Sequence, residues 1–146
     1  MRAFRYTQHI GRSREEIFAF MMDFRTAPRW RNMVRRMEVI GAEPLRQGSR
    51  VVLTMDVRGE TLQLDSEVWV YEPPHRYGHR NTYGGVTGVF EYVLEADESG
   101  TTVAFSGDLH PHGWMWLGVP FVVCDVRVRY RDQLLALKRA IEEPKP

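Results

Sequence analysis

Between residues 34 and 110 the chain reads as six strand-like segments in a row, each closed by a short cluster of turn formers. The segments are 34–42, 49–58, 61–72, 75–84, 87–96 and 101–110. The breakers are Glu43-Pro44 with Gln47-Gly48, then Arg58-Gly59, Pro73-Pro74, Gly84-Gly85 and Glu98-Ser99-Gly100. Connections this short join only antiparallel neighbours, because a parallel crossover needs a dozen or more residues. The segment must therefore form an antiparallel meander. Residues 3–10 add a further strand, giving about seven in all.

Helices fit only at the two ends of this meander. Ser13 and Glu16 have the spacing of a capping box, in which hydroxyl and carboxylate each satisfy a free amide of a helix start. Ile17, Phe20, Met21 and Phe24 follow at helical spacing. Thr26 and Pro28 open a second short helix that runs to about Met33. In the last thirty residues Val123, Val126, Tyr130, Leu134, Leu137 and Ile141 keep one helical face. The tail RDQLLALKRAIEE is rich in strong helix formers. One long helix is expected, starting at Pro120 or kinked by it.

A chain of 146 residues has room for one ordinary domain, here taken as residues 1–146. The formal charge of +1 gives no basic excess of the kind that marks a nucleic-acid binder. The basic residues are nonetheless concentrated early, with Arg25, Arg29, Arg31, Arg35 and Arg36 close together. The single cysteine, Cys124, excludes an intramolecular disulfide, and its apolar surroundings predict a buried, inert thiol. The polar N-terminus has no apolar signal core, and the uncharged run Gly113–Cys124 is shorter than the roughly 20 residues of a membrane span. A cytoplasmic location is expected.

The order of elements, strand, two short helices, meander and long helix, is that of a helix-grip fold. Arg12-Ser-Arg-Glu-Glu-Ile-Phe18, followed by Asp23 and Trp30, resembles the opening of the SRPBCC superfamily, which includes the START-like and polyketide cyclase/dehydrase families. Gln47-Gly48-Ser49, Glu72-Pro-Pro-His-Arg76, Gly100-Thr101 and Leu134-Leu-Ala-Leu-Lys138 fall where that superfamily's features fall. The resemblance covers nearly the whole chain. It implies an α+β fold in which a curved antiparallel sheet wraps around the C-terminal helix and leaves an apolar cavity between them. The superfamily spans lipid carriers, quinone-binding proteins and cyclases, so it indicates fold more than function.

Strand alternation sorts cavity positions from solvent positions. Val51, Leu53, Met55 and Val57 face in, as do Leu62, Leu64, Ser66, Val68 and Val70, with charged residues at the complementary positions. The next strand adds Tyr77, His79, Asn81 and Tyr83 in one row. Phe90, Tyr92 and Phe105 face them from the strands that follow. A few polar groups in an apolar cavity fix the orientation of an apolar ligand that carries oxygens. The expected ligand contacts are Trp30, Met55, Ser66, Tyr77, His79, Asn81, Tyr83, Phe90, Tyr92, Phe105, Trp114, Phe121 and Asp125. The expected function is binding of a small hydrophobic or amphipathic ligand such as a lipid, isoprenoid, quinone or polyketide.

The alternative is a polyketide aromatase/cyclase or dehydratase that uses His79 and Tyr83 as an acid–base pair. No metal is expected: His75 and His79 are about 13 Å apart along a strand, and His110 and His112 find no third ligand. No cofactor is expected either, since Gly84-Gly85 is a hairpin turn and not a phosphate cradle. Trp114 and Trp116, with the early arginines, raise the possibility of transient membrane contact during ligand transfer.

Overall fold

The structure is a computed structural model that describes residues 2–41 and 44–143. Glu43 of the expected 43–44 turn lies outside the described residues. Seven strands form one antiparallel sheet in the order β1-β7-β6-β5-β4-β3-β2. They are β1 (Arg2–Ile10), β2 (Val34–Val39), β3 (Arg50–Val57), β4 (Glu60–Glu72), β5 (Arg76–Tyr83), β6 (Val86–Asp97) and β7 (Gly100–Pro111). The meander runs from β2 to β7 by nearest-neighbour pairing, and β1 closes the far edge against β7. The tightest turns are Arg58-Gly59 and Gly84-Gly85, where both residues of each pair adopt positive φ. That is the backbone of a two-residue hairpin whose twist matches the strands it joins.

Helix α1 (Arg14–Met22) starts where the capping pattern places it. Ser13 Oγ accepts from the Glu16 amide at 3.1 Å. The reciprocal half of the box is not made, because the Glu16 carboxylate lies 3.4 Å from Arg12 instead. A 3-10 turn (Phe24–Thr26) leads into α2 (Ala27–Trp30), which ends three residues earlier than expected. A second 3-10 turn (Gly113–Gly118) precedes the long C-terminal helix, which begins at Val119 with Pro120 in its first turn. This helix is broken once at Arg131–Asp132, where Asp132 leaves helical geometry (φ −103°, ψ 8°), giving α3 (Val119–Tyr130) and α4 (Gln133–Glu142).

The two halves pack differently. In α4, Leu134, Leu137 and Ile141 are buried against the core with Gln133. In α3 only Val119 and Val123 are buried. Cys124 is exposed, contrary to expectation, because the helix turns its neighbour Val123 and not its thiol toward the sheet.

The inward register holds along the strands with one correction. A bulge in β4 shifts the pairing between Val68↔His79 and Val70↔Gly78. The extra residue moves the rest of the strand by one position, so Val70 leaves the cavity face. Its methyl group sits with the Trp69 indole over Gly78, on the side opposite Tyr77 and His79. Tyr71 faces the core instead, packing against Phe18 at 5.9 Å between ring centroids.

Candidate functional site

A pocket of about 420 Å³ opens between α3 and the face of the sheet formed by β3 to β6, with Leu109 of β7 at its side. Its walls are mainly apolar: Met55, Val57, Leu62, Leu64, Val86, Phe90 and Leu109 from the sheet, and Val122, Val126 and Tyr130 from the helix. The volume lies within the range of about 300–1,000 Å³ typical of small-molecule sites. The pocket lies beside the helix half that buries less, since α3 buries only Val119 and Val123 whereas α4 buries Gln133, Leu134, Leu137 and Ile141. Gly88 contributes to the wall, and a Cβ there would come within 2.7 Å of the Phe90 ring. Gly107 acts in the same way on the neighbouring strand, where a Cβ would meet Phe4 at 2.5 Å and Phe90 at 3.1 Å. Both glycines let the Phe90 ring lie flat across neighbouring backbone.

Charged groups ring the mouth. Asp125 on α3 pairs with Arg129 at 2.7 Å and reaches Arg58 of the β3–β4 turn at 3.8 Å. The second contact links helix and hairpin across the opening. These groups are solvent-exposed, so the link adds little stability.

Behind the pocket the space is nearly filled by aromatic rings. Tyr92 and Phe105 stack in parallel at 4.3 Å, and Tyr130 packs edge-on against Phe105 at 5.6 Å. What remains is a void of about 20 Å³, enough for one water. Polar groups line it. His79 is 7% exposed, its ring stacked on Phe90 at 5.3 Å, and its Nδ1 has no partner. Desolvation pushes the His79 pKa down to about 3, with the Arg31 charge acting in the same direction. The imidazole is therefore neutral at pH 7. Next to it the Tyr77 hydroxyl is buried without a partner, and desolvation raises its pKa. The Tyr92 hydroxyl accepts from Gln133 Nε2 at 2.5 Å, and Gln133 Oε1 accepts from the Asn32 amide at 3.0 Å. Burial raises the Tyr92 pKa as well.

The model of a family described as polyketide cyclase/dehydrase and lipid transport matches residues 1–142. The chain belongs to that family. Solved structures agree on a START-like fold. A START superfamily protein from Mycobacterium smegmatis superposes with a TM-score of 0.76 at 13% identity, covering 97% of this chain and 98% of that one. Protein MLL2253 from Mesorhizobium loti gives 0.76 at 12%, covering 98% of each chain. Ara h 8.0201 gives 0.75 at 16%, covering 95% of this chain and 96% of that one. No curated protein matches the sequence. At these identities the likeness concerns the fold.

Within this family member the residues expected at the ligand site separate into four groups. Met55, Asn81, Tyr83, Phe90 and Asp125 line the pocket. His79, Tyr92 and Phe105 line the small void behind it. Trp30, Ser66 and Tyr77 are buried but border neither space. Trp30 stands edge-on to Tyr92 at 5.9 Å, and Ser66 Oγ accepts from Asn81 Nδ2 at 3.5 Å. Trp114 and Phe121, expected as ligand contacts, are 76% and 81% exposed, face solvent and line neither space. The same strip exposes Trp116 and Leu117.

His79 and Tyr83 lie in different spaces, the small void and the pocket. Tyr83 is 64% exposed at the hairpin end, four residues along β5 from His79, a separation of roughly 13 Å. That distance excludes direct proton transfer between them.

The early arginines do not form a free basic face. Arg25 pairs with Asp23 at 2.9 Å, Arg35 with Asp56 at 3.0 Å and Arg36 with Glu38 at 2.8 Å. Arg29 donates to the Ala140 carbonyl at 2.8 Å. Arg31 is buried. Sequence reasoning missed this last residue at the site because it sits just after α2, where no periodicity distinguishes inside from outside. Gln133 did carry a signal: it is a polar residue on the apolar face that runs from Tyr130 to Leu137. Among the described residues no helix is long and apolar enough to cross a membrane.

Proposed function

We propose that the protein binds a small apolar or amphipathic molecule in the pocket between α3 and the β3–β6 face of the sheet, as a carrier or sensor. The observation that carries this reading is the pocket itself, about 420 Å³ with mainly aliphatic and aromatic walls and polar groups confined to its rim and inner end. Such a site takes up apolar surface by the hydrophobic effect and uses few polar groups for orientation. The family description, which includes lipid transport, supports the same chemistry.

The cyclase reading is weaker on physical grounds. Proton abstraction near neutral pH needs a base whose pKa lies near the working pH. His79 is held far below that, and Tyr83 is out of its reach. The carrier reading needs no such base.

The test is titration with N-phenyl-1-naphthylamine, an uncharged probe that fluoresces in apolar surroundings. Saturable, one-to-one enhancement is expected in the parent protein. In Val126→Trp, which places an indole in the pocket from the helix side, that enhancement should be lost while the far-ultraviolet circular dichroism is kept. Equal binding by both proteins would remove the pocket from the account.

A further inference from the structure

Among the described residues Arg31 is the one buried arginine with no counter-charge, and it sits at the inner end of the proposed binding site. It is 5% exposed, and its Nε and one terminal nitrogen are buried without hydrogen-bond partners. Among the described residues no carboxylate lies within ion-pair distance of it, although the other arginines of this region are paired or bonded. Its guanidinium is held between aromatic faces: Trp30 at 4.5 Å, Tyr92 at 5.5 Å and Tyr77 at 5.8 Å. Cation–π contacts fix the position of the group but supply no in-plane acceptor to Nε or to that terminal nitrogen. A buried cation without a hydrogen-bonded partner is costly to keep.

Two further groups beside it have no partner at hydrogen-bond geometry, His79 Nδ1 and the Tyr77 hydroxyl, and the hydroxyl lies close enough to Arg31 for the guanidinium to lower its pKa against the larger effect of burial. Arg31 and His79 both line the small void, which lies directly behind the pocket. The two spaces share Met55, Leu64, Asn81, Phe90 and Tyr130 as walls. The groups gathered here are an arginine that can only donate, a phenol that keeps its proton and a neutral imidazole that can donate from one ring nitrogen. Donors around a fixed cation match the lone pairs of an anionic oxygen, and a guanidinium fork suits a carboxylate in particular.

We propose that the ligand is an anionic amphipath, an apolar chain or ring ending in a carboxylate, and that the carboxylate pairs with Arg31 while the apolar body fills the pocket. The proposal rests on the pocket-binding reading above. The void as it stands admits only a water, so the carboxylate reaches Arg31 by displacing the side chains that divide the two spaces. Asn81 is the amide among these, with one 3.5 Å bond to Ser66.

The test compares decanoate with decanol by calorimetry, since the two share an apolar chain and differ in charge. The parent protein should bind decanoate at least tenfold more tightly. Arg31→Met should abolish that preference and raise the melting temperature of the ligand-free protein, because an unpaired buried charge has been removed. As a measurement that needs no variant, the carboxyl carbon of labelled decanoate, followed by NMR, should stay ionised to lower pH when bound than when free. Equal affinity for both ligands in the parent, or a preference that survives in Arg31→Met, overturns the role of Arg31 and leaves the pocket intact. Absence of binding by both ligands overturns the pocket reading and this inference together. A carboxyl group that titrates identically free and bound also overturns the inference.

Discussion

Acidification to pH 4.5 should destabilise the protein chiefly through one residue, His79. Its ring is stacked on Phe90 and shielded from water, so the folded state accepts a proton only at a pKa of about 3. In the unfolded chain the same ring titrates near 6.5. The folded pKa is the lower one, so below 6.5 the unfolded state binds more protons and stability falls as pH falls. The effect is absent above about pH 6.5 and grows until the pH approaches 3. Each pH unit well inside that window is worth about 1.4 kcal/mol, and with the unfolded ring already half protonated at about 6.5 the move to pH 4.5 removes about 2 kcal/mol. Asp23, Asp97 and Glu142 also have lowered pKa values, held down by Arg25, Ser99 and Lys138 respectively. Their contribution begins to fall where the unfolded carboxylates take up protons, from about pH 5 downward, so only a small part of it has gone at pH 4.5. Urea unfolding at pH 7 and pH 4.5 measures the loss. His79→Phe, which keeps a flat ring against Phe90, should lose much less stability than the parent over the same interval. An equal loss in both proteins would show that the ring is not desolvated as described.

Other substitutions test the packing around the site. Trp30→Ala should destabilise by about 3–5 kcal/mol in urea unfolding, because this side chain is 2% exposed and braces both Tyr92 and Arg31. Trp114→Ala should change stability by no more than about 0.5 kcal/mol, since that indole stands in solvent. Gly107→Ala should cost about 1–3 kcal/mol in the same assay, because its methyl group must displace the packed rings of Phe4 and Phe90.

Much of the fold could be read from the residues because the meander repeats two simple signals, alternation and short turns. Strand faces followed from alternation wherever pairing was regular, and failed at the Trp69 bulge, which transfers Val70 to the outer face. A bulge leaves no mark in a sequence already rich in β-branched and aromatic residues. The row Tyr77, His79 and Asn81 points inward as alternation predicts, while Tyr83 shares their face but lies past the covering helix. Alternation says which side a residue takes and nothing about how far the cover extends. The same limit explains Trp114 and Phe121, whose apolar character placed them among the expected ligand contacts although the 3-10 turn and first turns of α3 leave them in solvent. Arg31 was the least accessible to sequence reasoning. Its burial depends on the rings of Trp30, Tyr77 and Tyr92 meeting around it from three separate elements.

The central claim is that ligand enters the space between α3 and the sheet. It is tested most directly by a backbone amide NMR titration with decanoate. Saturable shifts should cluster at Leu62, Asn81, Gly88, Val122 and Val126, which face one another across the pocket. Shifts confined to the exposed Trp114–Phe121 strip, or shifts that never saturate, would contradict it.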